Sequence, residues 1–176
     1  MLISKETSDA LDILLGAYFD LNRSFDRAVS IMQNTWSMPN ASDIIHHNLA
    51  HLFPLLGDKV SEIKDKYNLT SIYPETHRDA REYANLEDMM STLLNEMADV
   101  YKIIKDVNEI AERNGDFMVH SELIIIMNYH TDVISQVVTL HDKSQQMPTD
   151  FDNYDRHILS WKIDGLPELI DNGSDD

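Results

Sequence analysis

His47, His51, Asp58 and Glu62 are separated by four, seven and four residues. Steps of four and seven return to the same side of an α-helix, so the four side chains are expected to form one stripe. Imidazole with carboxylate is a donor set suited to iron, and also to zinc. The apolar stripe of the same stretch is Ile45, Leu49, Leu52, Leu56, Val60 and Ile63. The polar stripe lies about 100° from it, at the edge of the face that must turn to a core. His46 directly precedes His47, and neighbouring side chains on an α-helix diverge by about 100°, so His46 is expected to stand apart.

A stripe of this kind needs a long helix and partners to hold it. The chain of 176 residues is 43% apolar and 26% charged, with only five Gly and five Pro. So few turn-forming residues suit a few long helices better than many short strands, and the fold class expected is all-α. Apolar residues recur at helical spacing over 9–33, 43–67, 85–113 and 116–146. Thr7-Ser8-Asp9 offers cap chemistry for the first helix, and Ser42-Asp43, just after the Pro39 turn, for the second. Pro54 lies inside the second helix and predicts a kink there, or a division into two pieces. Residues 68–84 form a connection long enough to run the length of a bundle, with a short helix expected near 77–83. Arg113-Asn114-Gly115 is a helix stop, basic then glycine, and Met147-Pro148 ends the fourth helix. Residues 1–148 are thus expected to form the bundle. Residues 149–176 add a short helix at 155–163 and an acidic tail, 171–176, whose composition predicts disorder.

Composition narrows the functions. Cysteine is absent, which excludes disulfides and thiolate chemistry. The net charge of −17 argues against a direct hold on nucleic acid, which requires clustered Lys and Arg, and favours the approach of cations. No run approaches about 18 consecutive apolar residues and the N-terminus has no signal-peptide pattern. A cytoplasmic protein without membrane contact is the expectation. No Gly-rich phosphate loop or nucleophile motif is present. His130 is expected to be a core histidine.

Two short-loop hairpins joined by a long crossover is the connectivity of ferritin-like bundles. Around the first turn and the second helix the chain resembles Dps, the miniferritin family. Thr35-Trp36 stands where that family carries His-Trp. His47 and His51 fall at its second His and at the Asp four residues later, with Glu62 and Lys66 at its closing Asp and Glu. Moved by four, the pattern takes Asp58 and Glu62 as the closing pair, with Asp43 and His47 before them. Residues 111–116 and His130 extend a diffuse likeness across 8–146. The resemblance implies a homo-oligomer that binds and oxidises iron, a ferroxidase-type oxidoreductase whose site lies between subunits. His47, His51, Asp58 and Glu62 would then hold the metal. Glu-x-x-His, the inward-facing signature of dinuclear ferritin-like bundles, is absent from the sequence. Matching heights along the helices instead levels Asp26, His51, Glu96 and either Asp132 or Gln136 as a second, inward group. The alternative function is a ferritin-like scaffold without metal chemistry, acting as a binding or structural module.

Overall fold

The structure, a computed structural model, describes residues 2–163, and every regular element among them is helical. Helix α1 spans Lys5–Asn34. It starts a turn before Thr7-Ser8-Asp9, because Ser4 is its cap and accepts from the Thr7 amide at 3.0 Å. Thr7 is itself buried, and its hydroxyl donates to Asp116 at 2.6 Å.

The second long helix is three pieces: α2 (Pro39–Ile45), a π-helical turn (His46–Ala50) and α3 (Leu52–Asp65). It begins at Pro39 rather than at Ser42. A proline in the first helical position lacks only an N–H that would be unpaired there, and its fixed φ suits the helix. Helix α4 (Leu86–Arg113) is capped by Asn85, which accepts from the Asp88 amide at 2.9 Å. It stops where the sequence predicts. Gly115 has φ +74°, its amide donates to the Glu112 carbonyl at 3.0 Å, and the Asp116 amide donates to the Ala111 carbonyl at 2.9 Å. That pair of bonds requires a left-handed residue, the conformation glycine adopts without cost. Helix α5 spans Phe117–Gln146.

Helix α1 packs against α3 and α4, α4 against α5, and α5 more lightly against α3. These contacts close a four-helix bundle with a long crossover, as expected. Its core holds Leu14, Tyr18 and Phe25 from α1, Phe53 and Val60 from α3, Met97 and Ile104 from α4, and Val133 and Val137 from α5. By length and composition, α5 alone among the described residues is apolar enough to cross a membrane. Along its length Val119, Leu123, Ile126, Val133, Val137 and Leu140 are packed into this core.

Between α3 and α4 the chain is extended, with no helix at 77–83. The reason is visible on α1. Asp12, Gly16, Asp20 and Arg27 share one face of that helix, and each holds the crossover. The Asp12 carboxylate accepts from the Ile72 amide at 2.9 Å, and both its oxygens take the buried Lys64 ammonium at 2.6 Å. Asp20 accepts from the His77 amide at 3.1 Å, and the Arg27 Nε donates to the Arg81 carbonyl at 2.8 Å. At Gly16 a Cβ would come within 2.3 Å of Pro74 Cγ. The crossover's polar backbone is satisfied by α1 side chains, so it has no need to coil on itself.

The C-terminal segment forms α6 (Phe151–His157) and a single 3₁₀ turn (Ile158–Ser160). It starts four residues before the expected position 155, capped by Asp150, which accepts from the Asn153 amide at 3.2 Å. It closes the end of the bundle where α1 turns into α2. Phe151 stacks on Trp36 at 4.7 Å, and Tyr154 and Ile158 are fully buried. Asp155 accepts from the Ala41 amide at 2.7 Å and from the Asn40 side chain at 3.0 Å. Met38, at the N-cap of α2, has no capping side-chain bond. Asp155 supplies that acceptor from a distant part of the chain. The acidic tail 171–176 lies outside the described residues.

Candidate metal-binding face on the second helix

Pro54 shapes this face. It has no N–H to give to the Ala50 carbonyl, and its ring would press on that carbonyl in a continuous α-helix. The structure resolves both problems together. The helix widens into the π turn just ahead, with the His51 amide bonded to the His46 carbonyl at 3.1 Å, five residues back. Pro54 then falls in the first turn of α3, where an N–H is not needed. The Ala50 carbonyl is taken by the Asn22 side-chain amide at 2.9 Å.

The wider turn changes which side chains meet. With more residues per turn, positions five apart align. The rings of His46 and His51 lie 4.2 Å apart, His46 and His47 5.1 Å, and His47 and His51 5.5 Å. His46 therefore joins the cluster, contrary to the expectation drawn from α-helical spacing. Pro54 was the signal in the sequence, but it did not reveal the form the distortion takes.

Nδ1 of His47 lies 2.9 Å from the Asp43 carbonyl oxygen and 3.2 Å from its carboxylate. Two acceptors at Nδ1 assign the proton to that nitrogen and leave the Nε2 lone pair free. This is the orientation that metal-ligating histidines take. Nδ1 of His46 lies 3.5 Å from Asp26 Oδ1, and neither buried atom has a hydrogen-bond partner. His47 and His51 are exposed.

The other half of the expected stripe lies further along. Asp58 and Glu62 are exposed on α3, and Glu62 pairs with Lys59 at 2.9 Å. Both line a small cleft of about 150 Å³ with Leu55 and Tyr129. Asp58 follows His51 by seven residues, about 10 Å along the axis, so one copy holds His47–His51 and Asp58–Glu62 as two separate pairs. Lys66, at the closing Glu position of one register, pairs with Glu122 at 2.5 Å. Among the described residues no three or more His, Cys, Asp or Glu side chains are grouped so as to hold a metal ion.

The bundle interior has a different character. His130 is fully buried, as expected, and both its nitrogens are engaged. Nε2 donates to the Met97 carbonyl at 2.8 Å, and Nδ1 accepts from the Tyr18 hydroxyl at 3.3 Å. Burial lowers the His130 pKa, and the bond to Met97 only partly opposes this. Burial also pushes the Tyr18 phenol up. The inward group expected from helix heights does not assemble. Asp26 faces His46, Glu96 is bound by Arg81, Asp132 and His51 are exposed, and Gln136, the alternative to Asp132, is half-buried with no hydrogen-bond partner at its buried Oε1. Among the described residues these side chains do not come together inside the bundle.

No protein-family model matches the sequence, and no curated protein matches it. Solved structures do. A crystal structure of an open pore ferritin from the hyperthermophilic archaeon Archaeoglobus fulgidus superposes with a TM-score of 0.82, covering 89% of this chain and 96% of that one. A second structure of that ferritin gives a TM-score of 0.80, covering 87% and 98%. The fold is ferritin-like. Sequence identity is 12% in both cases, so the likeness extends to the fold alone.

Proposed function

We propose that this chain is a ferritin-like, Dps-like protein that forms a homo-oligomer in the cytoplasm and captures Fe(II) on the outer face of its second helix. His47 and His51 are the first ligands, and Asp58 and Glu62 supply the carboxylates. The observation that carries this reading is the His47 imidazole, with Nδ1 committed to Asp43 and Nε2 free, set beside the His51 ring. A two-fold axis pairing second helices in opposite directions would set the Asp58–Glu62 pair of one copy against the His47–His51 pair of the other. That arrangement joins two half-sites that one copy keeps apart. Iron held there is a substrate for oxidation by dioxygen or peroxide, with the carboxylates offsetting the added positive charge.

A second reading is supported by the interior. The bundle's core is filled by Tyr18, His130, Phe53 and Met97, which suits a ferritin-like scaffold acting as a binding or structural module. Anaerobic Fe(II) titration of metal-stripped protein separates the two, with wild type beside a His47→Ala/Glu62→Ala variant. Stoichiometric binding that is lost in the variant is the expected result. Equal binding in both would remove the site from the second helix, and no binding in either would favour the scaffold.

A further inference from the structure

We propose that the cleft between α1, α4 and the crossover is a binding site for a small organic phosphate, with a dianionic head and an apolar body. The cleft has a volume of about 390 Å³, and Ala17, Leu21, Val100 and Ile103 give it an apolar floor. Arg23 and Arg78 line the same cleft. An adjoining cleft of about 500 Å³ shares both arginines and adds Arg27. The sequence holds six arginines, and Arg23, Arg27, Arg78 and Arg81 are all here.

The charge pairing makes the case. Each carboxylate lining this cleft has a basic side chain beside it: Asp20 has the His77 imidazole at 3.4 Å, Asp79 and Glu96 share the one Arg81, and Asp99 has Lys102 at 2.7 Å. Asp26, in the adjoining cleft, faces His46 at 3.5 Å. Arg23 and Arg78 have no ion pair and no side-chain hydrogen bond among the described residues, and Arg27 uses only its Nε, on the Arg81 carbonyl. In a chain with 31 acidic and 14 basic residues, two arginines with no ion pair, and a third with spare N–H groups, stand together at this one place. Guanidinium forks fit phosphate oxygens two at a time. A cavity of this size with an apolar floor and a few convergent polar groups is the usual form of a small-molecule site.

Arg81 gives the rim a fixed frame. Its guanidinium reaches Asp79, Glu96 and, at 2.7 Å, the Ser24 hydroxyl. Its carbonyl takes Arg27. The crossover is thereby tied to α1 and α4 on either side of the cleft, independently of the second-helix histidines.

Calorimetric titration of the full chain with phenyl phosphate, inorganic phosphate and benzoate tests this. The expected result is one saturable phenyl phosphate site per chain, with inorganic phosphate weaker because it leaves the floor uncovered. An Arg23→Ala/Arg78→Ala variant should lose at least about tenfold in affinity. Both residues are exposed, so folding should be kept, and circular dichroism checks it. An Ala17→Leu variant fills the floor and should reduce phenyl phosphate to the affinity of inorganic phosphate. Binding unchanged by removal of the arginines, tighter binding of benzoate, or no saturable binding up to about 10 mM would each overturn the assignment.

Discussion

Asn22 and Pro54 lie on different helices and do not bond to each other, yet the structure makes their effects interdependent. Both act on the Ala50 carbonyl, which Pro54 cannot serve and Asn22 does, at 2.9 Å. Ala50 is fully buried, so an Asn22→Ala change leaves its carbonyl without a partner and should cost about 1–3 kcal/mol. A Pro54→Ala change restores an amide four residues beyond that carbonyl and removes the ring that crowds it. In that background the loss of Asn22 removes only a replaceable bond, and should cost about 1 kcal/mol less. Urea unfolding of the two single variants and the double variant gives the coupling directly. A coupling energy near 1 kcal/mol or above is expected. Additivity within about 0.5 kcal/mol would show that the π turn is not a response to this shared carbonyl, and the explanation of the histidine cluster would fall with it.

Further expectations follow from the core and from the crossover. Because burial lowers the His130 pKa, the unfolded chain binds a proton that the folded chain does not. Its contribution to stability is full above about pH 6.5 and is lost as the pH falls below that value. His130→Gln should flatten the acid side of the stability profile by up to about 1.4 kcal/mol per pH unit, and parallel profiles would contradict this. Gly16→Ala should destabilise by about 1–3 kcal/mol and speed hydrogen exchange at the Ile72 and His77 amides, since Pro74 must move. Unchanged exchange would mean the crossover is not seated on α1. Asp155→Ala strips the acceptor from the start of α2 and should cost about 1–2 kcal/mol in thermal or urea unfolding, while Asp155→Asn should retain much of it. Equal losses in the two variants would count against the cap.

The sequence made the bundle legible because apolar periodicity, the Pro39 turn and Arg113-Asn114-Gly115 all act locally and agree. Helix starts were less legible where the cap is not local. Asp155 serves α2 from far along the chain, and no pattern around Ser42 could announce that. The extended crossover was hidden for the same reason: its backbone partners, Asp12, Asp20 and Arg27, sit on another helix. The geometry of the candidate face was only partly legible. Residue types and spacing bring out His47 and His51 as candidates, but the assumption of 100° per residue fails across the π turn, so His46 is expected apart from them and stands beside them. The separation of Asp58 and Glu62 from the histidines is axial and follows from the spacing itself. Pro54 showed that the helix must yield. The choice between a break, a kink and a π turn depended on Asn22, thirty-two residues earlier.

If this chain binds iron as proposed, the metal sits on the outer face of the second helix and not in the bundle interior. Anomalous diffraction at the iron edge, from crystals soaked anaerobically in Fe(II), would locate it. The expected result is an iron peak within bonding distance of His47 Nε2 and the His51 ring, with carboxylate density from Asp58 or Glu62 of a neighbouring copy. A peak inside the bundle beside Tyr18 and His130 would contradict it.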